Sequence, residues 1–293
     1  MNIKDAKKIV EDFSCKSAPT KDDEFIFTEA MQFLIEEKNK PQDMMYLGGF
    51  YYEKKKFDLA LKYYEMAAAL DFDDAYECLG YIWYYGRTGE KDYKKAFEYF
   101  SKMMDKGHLI ATYKVADMYK NGYYVEKDLN KYREIIESLY PKAKNSQYLG
   151  EPLPEVFTRL ARIRTEDGQT DEAIKLYLKA KDFQAQRLRY NAFFGDLNIM
   201  EWLIDDLYKI YPFDKDSFDF YDLYYLLKSP CKITFRYEDR TLHLEASAEE
   251  DSIAVCFEGK WFRGRKEFFA GAVLDGKRLT SMYNEFYGFT LEG

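Results

Sequence analysis

The stretch AYECLGYIWYYGRTGEKDYKKAFEYFSKMMDKG, residues 75–107, decides the fold. Its first half puts Tyr76, Leu79, Gly80 and Trp83 on one face of a 3.6-residue helix, and its second half does the same with Ala96, Phe100 and Met103. A glycine-bearing loop joins the two. Helices this short cannot hide their apolar faces as an isolated pair, so the unit becomes stable when similar pairs stack on it. The stretch predicts a helical-repeat scaffold.

Working outward, small residues that let two helices approach closely recur at Gly48, Gly80, Ala116 and Ala161, each preceded by Leu47, Leu79, Val115 or Leu160. The second helix of each pair carries its own small or flat residue at Ala60, Ala96, Tyr132 and Ala173. Twelve positions separate Gly48 from Ala60 and Ala161 from Ala173, whereas sixteen separate Gly80 from Ala96 and Ala116 from Tyr132. One core pattern therefore alternates with two loop lengths. A four-then-three spacing follows in every second helix: Ala60, Tyr64, Ala67; Ala96, Phe100, Met103; Tyr132, Ile136, Leu139; Ala173, Tyr177, Ala180.

The pairs with the shorter interval resemble tetratricopeptide repeats, through Leu47, Gly48, Tyr51, Ala60, Tyr64 and Ala67, and through Gly168 with Ala173. Those with the longer interval resemble the Sel-one-like repeat, through Leu79, Gly80, Gly86, Asp92, Lys95 and Ala96, and then Tyr119, Gly122, Val125, Asp128 and Lys131. The resemblance covers about 44–181. Tyr132 stands in place of alanine, Ala116 and Ala161 in place of glycine, and Arg164 in place of an aromatic, while QYLGEPLP (147–154) is inserted before the fourth pair. What the resemblance implies is an α–α superhelix that holds a protein or peptide.

Helices are expected on either side. Residues 2–13 and 21–38 form two, the second capped by Thr20 with acids in its first turn, and Pro41 opens the next. Beyond Lys181 the sequence predicts helices over about 183–194 and to about 210, with a Gly195–Asp196 turn between them, and a last one over 217–227 capped near Asp216. Composition then shifts at Pro230. Ile233, Phe235 and Tyr237 alternate with polar residues, Leu242 and Leu244 answer across a Glu238–Asp239 turn, and Ile253, Val255, Phe257 and Trp261–Phe262 continue a meander. Helices at 265–271 and 278–287 complete it. The fold class is mainly α: a solenoid of helix-turn-helix repeats with capping helices over 1–229, then a small α+β domain over 230–293 with an antiparallel β-meander.

The charge of −8 and pI near 5.1 argue against polyanionic partners, nucleic acid and anionic lipid alike. No apolar run approaches the roughly 18 residues of a membrane span, and the charged start MNIKDAKKIVEDF has no secretory core, so a cytoplasmic protein is expected. Cys15, Cys78, Cys231 and Cys256 lie far apart and read as free, mostly buried thiols, with no metal site. His108 falls in a turn and His243 in mid-strand, so neither serves a nucleophile. The carboxylate pairs Asp205–Asp206 and Glu249–Glu250 read as solvated charge, Gly48–Gly49 and Gly86/Gly89 are not phosphate loops, and the basic-aromatic run 260–266 reads as a turn and strand edge. No catalytic residue and no cofactor is expected.

The remaining candidate surface is the inner wall that the resemblance implies, lined by first helices one residue round from the core stripe. It comprises Met45 and Tyr52; Glu77, Tyr81, Tyr84 and Tyr85; Tyr113, Asp117 and Lys120; Thr158 and Arg162. Tyrosine gives large contact area at low entropic cost together with a hydroxyl, which suits an extended protein or peptide partner. The expected function is a non-catalytic interaction scaffold. Its alternatives are an enzyme, with a site near His243, Cys256 and Arg263, or a regulatory, toxin-neutralising surface, in either case carried by the C-terminal domain.

Overall fold

The computed structural model describes residues 1–16, 19–145, 152–190, 194–249 and 252–292, and the chain divides into two compact units, Met1–Tyr132 and Arg133–Gly293. Most of the 147–154 insertion, and Glu250 of the Glu249–Glu250 pair, lie outside the described residues.

The first unit holds α1 (Ile3–Ser14), α2 (Lys21–Lys38), α3 (Pro41–Glu53), α4 (Phe57–Ala68), α5 (Asp73–Tyr85), α6 (Tyr93–Asp105), α7 (Leu109–Asn121) and the start of α8 (Leu129–Asn145). Local chemistry sets the boundaries. Thr20 and Asp23 form a reciprocal capping box at the start of α2, Pro41 occupies the first position of α3, and the Asp92 carboxylate accepts the Lys95 backbone N–H at the start of α6. Gly86 and Gly122 end α5 and α7 in the left-handed region, at φ 62° and 68°.

The small anchors do what their spacing implies. A Cβ on Gly48 would lie 2.6 Å from the Tyr64 ring, and one on Gly80 would lie 2.5 Å from the Phe100 ring, so the α3–α4 and α5–α6 pairs close with an aromatic ring against bare backbone. Burying a ring such as Phe100, which is 0% exposed, contributes about 2–3 kcal/mol, and the absent methyl is what admits it. The two interval classes become two connections, residues 54–56 in the first pair and 86–92 in the second. Within the second pair Tyr76 stacks on Tyr99, and Tyr93 stacks on Tyr123 of the next pair at 4.2 Å with planes 7° apart. On α5 the Trp83 ring lies beneath the Lys95 ammonium of α6, at 3.9 Å.

The second unit contains the rest of α8, then α9 (Leu153–Glu166), α10 (Thr170–Tyr190), α11 (Phe194–Ile210), a 3-10 turn at Phe220–Asp222 and α12 (Leu223–Leu226). Arg164 replaces ring packing with charge: it reaches Glu137 of α8 at 2.6 Å and Glu172 of α10 at 3.2 Å. Two boundaries differ from expectation. The helix expected over 183–194 is the continuation of α10, whose buried stripe runs through Lys181, Gln184, Ala185 and Leu188, and Gly195–Asp196 belong to the first turn of α11 rather than to a turn between helices. The helix expected over 217–227 is only the 3-10 turn plus α12, and its cap is Asp219, whose carboxylate accepts the Tyr221 and Asp222 N–H groups, not Asp216.

The C-terminal sheet comprises β1 (Cys231–Tyr237), β2 (Arg240–Glu249), β3 (Ser252–Phe257), β4 (Lys260–Phe262) and, after α13 (Gly264–Gly271) and the short hairpin β5 (Val273–Leu274) and β6 (Lys277–Arg278), the strand β7 (Tyr287–Glu292). The order is β4-β3-β2-β1-β7, antiparallel throughout. The helix expected at 278–287 is instead a 3-10 segment, Leu279–Glu285, and the chain then returns as β7 beside β1. Ile233, Phe235, Leu242, Leu244, Val255 and Phe257 form the buried face, met by Phe268 of α13, whose ring lies edge-on to those of Phe257 and Phe262. The Phe269 ring stacks on Tyr224 of α12 at 3.7 Å. Arg265 of α13 also pairs with Glu201 (2.6 Å) and Asp205 (3.3 Å) of α11, so the sheet and the helices before it share one compact unit.

Among the described residues no helix is long and apolar enough to cross a membrane, and no group of His, Cys, Asp and Glu is placed to hold a metal ion. The four cysteines are free, Cys15 exposed and the other three half-buried, so none is as buried as expected.

Candidate interaction surface

In the first unit the first helices of successive pairs carry the expected tyrosines into one network. The Tyr81 hydroxyl of α5 shares a hydrogen bond with the Tyr113 hydroxyl of α7 at 2.9 Å. Tyr81 and Tyr85 stack, at 6.0 Å and 9°, and Tyr84 meets Tyr85 edge-on at 4.9 Å. Arg87, just past α5, donates from Nε to the Tyr52 hydroxyl of α3 at 3.0 Å, and its guanidinium lies 4.6 Å from the centre of the Tyr85 ring. These contacts tie α3, α5 and α7 together along a single wall.

At its centre is a residue that the sequence reading did not select. Lys114 of α7 is 4% exposed, its ammonium donates to the Tyr85 hydroxyl at 2.7 Å, and it lies 4.8–5.4 Å from the ring centres of Tyr85, Tyr84, Tyr81 and Tyr113. The one-residue offset that selected Tyr113, Asp117 and Lys120 passes beside it. A lysine next to the Val115–Ala116 core step, facing tyrosines of the first helix one repeat earlier, is the signal that was available.

Glu77 is half-buried on the same wall, with the Nδ1 of His108, the residue capping α7, 3.9 Å from its carboxylate. Burial, reinforced by the Asp74 charge and opposed by Lys114, raises its carboxyl to about 7. Burial also raises the Tyr52 phenol, against the pull of Arg87, and pushes the neighbouring Cys78 thiol up to about 12, which makes it inert at neutral pH.

The other expected wall residues are placed differently. Met45 packs against the first unit's core, Asp117 is half-buried, and Lys120 lies 5.0 Å over the Tyr132 ring. Thr158 and Arg162 belong to the second unit: Thr158 is buried with its hydroxyl unpaired, and Arg162 is held at 2.6 Å by Asp206 of α11. Asp205 and Asp206 are therefore ion-paired, with Arg265 and Lys228 and with Arg162 and Lys209 respectively, rather than merely solvated. His243 is exposed on the outer face of the sheet, where the Glu258 carboxylate accepts its backbone N–H.

Comparison with known proteins agrees on the first three repeats, and the family match does not reach the fourth pair, α9–α10. The Sel1 repeat family is matched at three consecutive segments, residues 44–72, 75–108 and 109–131. These are the α3–α4 pair, the α5–α6 pair, and α7 with the start of α8; the first, closer by sequence to a tetratricopeptide repeat, is matched as a Sel1 repeat like the others. Among solved structures, a Sel1 repeat protein from Oxalobacter formigenes is similar at 21% identity and TM-score 0.47, over 61% of this chain and 67% of its own. A protective antigen of uropathogenic Escherichia coli strains, displaying an SLR fold, is similar at 17% identity and TM-score 0.42, over 65% of this chain and 46% of its own. The type IV pilus biogenesis factor PilW is similar at 15% identity and TM-score 0.43, over 73% and 95%. No curated protein matches the chain.

Proposed function

We propose that this chain, which carries three Sel1 repeats, is a non-catalytic scaffold that captures a protein or peptide on the tyrosine-lined wall of α3, α5 and α7. The observation that carries the reading is the network Tyr52–Arg87–Tyr85–Lys114, with Tyr81–Tyr113 beside it: rigid rings, hydroxyls and cations held in fixed positions by neighbouring repeats. Such preorganised aromatic surfaces bind with little further ordering. In this reading residues 1–229 supply the scaffold and 230–293 an α+β module packed on its last helices. Four free thiols fit a reducing, cytoplasmic setting.

Photo-crosslinking tests it. A photoreactive amino acid in place of Tyr84 is expected to trap a discrete partner in the native cell, whereas one at exposed Lys94 on α6 is not; equal trapping at both positions, or none at Tyr84, removes the wall as the binding surface. Alanine at Tyr81 or Tyr84 would open a void beside Lys114 and confound loss of binding with loss of fold, so phenylalanine is the informative substitution.

A further inference from the structure

We propose that the ligand of this wall is an acidic extended peptide, and that Lys114 is the residue that receives one of its aspartate or glutamate side chains. The inference rests on the scaffold reading and adds the chemistry of the partner.

Elsewhere the protein pairs its buried charges. Lys181, 9% exposed in the second unit, has two carboxylates within reach, Asp219 at 2.8 Å and Asp222 at 2.5 Å. Glu201, 6% exposed, has Arg265 at 2.6 Å and Lys266 at 3.0 Å. Lys114 is more buried than Lys181, yet among the described residues no carboxylate lies within 4.0 Å of its ammonium; it has one hydroxyl and four ring faces. Ring faces return about 0.5–2 kcal/mol to a desolvated ammonium, less than the several kcal/mol lost on leaving water. An arriving carboxylate would supply the counter-charge and a charge-assisted hydrogen bond.

The surroundings favour an anion from outside the chain. Glu77 is an acid whose field reaches Lys114, and its carboxyl is raised to about 7, so in neutral solution it is ionised only part of the time. Arg87 also lies over the Tyr85 ring, 4.6 Å from its centre, and brings a second cation to the same wall. Half-buried Tyr84 and Tyr85 supply apolar faces for the aliphatic stem of a glutamate.

Calorimetric titration of the full chain decides the matter with blocked decapeptides, acetylated and amidated so that no terminal carboxylate competes. One alternates Glu with apolar residues and the other carries Gln in place of Glu. The Glu peptide is expected to bind at least tenfold more tightly than the Gln peptide. Lys114→Met should remove that preference, and Lys114→Arg should keep most of it. Binding of the Glu peptide should also tighten as pH falls from 8 to 6 with uptake of a proton, because an anion brought beside Lys114 adds negative charge next to Glu77 and favours its protonated form; Glu77→Gln should remove that dependence. Equal affinity for the two peptides, no binding of either, or full preference retained in Lys114→Met overturns the acidic ligand, and displacement of the Glu peptide by inorganic phosphate at low millimolar concentration overturns it in favour of a phosphate site. Because the Glu-to-Gln comparison uses the unsubstituted protein, the test survives a variant that fails to fold. The scaffold reading is judged separately, by crosslinking at Tyr84.

Discussion

Adjacent glycines in α3 answer to different constraints. A methyl on Gly48 would meet the Tyr64 ring at 2.6 Å, whereas one on Gly49 would meet nothing within 4 Å. Gly48→Ala is therefore expected to destabilise the protein by about 1–3 kcal/mol through overpacking, and Gly49→Ala to stabilise it by about 0.5–1 kcal/mol through lost unfolded-state freedom, both read from urea midpoints. Glu77 yields a second prediction. With its carboxyl raised from 4.5 to about 7, the folded protein binds a proton that the unfolded chain has released between those values. Its favourable contribution is thus complete below pH 4.5 and lost as pH rises through 7, on the order of 2–3 kcal/mol. Denaturant titrations from pH 5 to 8 should show the decline in the native protein and a flatter profile in Glu77→Gln. At this scale Gly48 and Gly80 were legible, because a small residue at fixed spacing has one common use. Lys114 was not, because a lysine ordinarily signals solvent and only the rings of the preceding repeat make it a buried one.

Among the elements, capping was the most readable code. Thr20 and Pro41 mark boundaries that the structure reproduces, and Asp92, Gly86 and Gly122, which entered the sequence reading only as repeat-motif residues, also prove to be caps. Asp92→Ala is expected to cost about 1 kcal/mol, and Asp92→Asn less than half of that, since asparagine still accepts the Lys95 N–H; thermal midpoints separate the two. Boundaries were missed where tertiary contacts outweigh local signals. Gly195 reads as a stop, but the Asp196 carboxylate one residue on is drawn to Arg187 of α10 at 3.1 Å and takes its place in the first turn of α11. The strand β7 was missed because Tyr287–Gly288 and a register shift opposite Thr234–Arg236 break its alternation, leaving Phe289 against Phe235 and Phe218 as its main apolar anchor.

For the molecule as a whole, the change of composition at Pro230 locates the start of the sheet, yet packing groups that sheet with α9, α10 and α11. Arg265 accounts for part of this: it bridges Glu201 and Asp205 and donates to the Tyr224 carbonyl, joining α13 to α11 and α12. Native-state hydrogen exchange is expected to show the amides of β1–β3 and α11 losing protection at one denaturant concentration; two well-separated steps would mean that the sheet opens on its own. The placement of the three indoles gives the chain an optical property as well. Trp83 sits beneath Lys95 with its indole nitrogen buried, while Trp202 and Trp261, in the second unit, are 51% and 58% exposed. Fluorescence from the first half should therefore be the bluer component and that from the second the redder and more easily quenched by iodide, so an unlabelled sample reports spectrally which half has begun to melt.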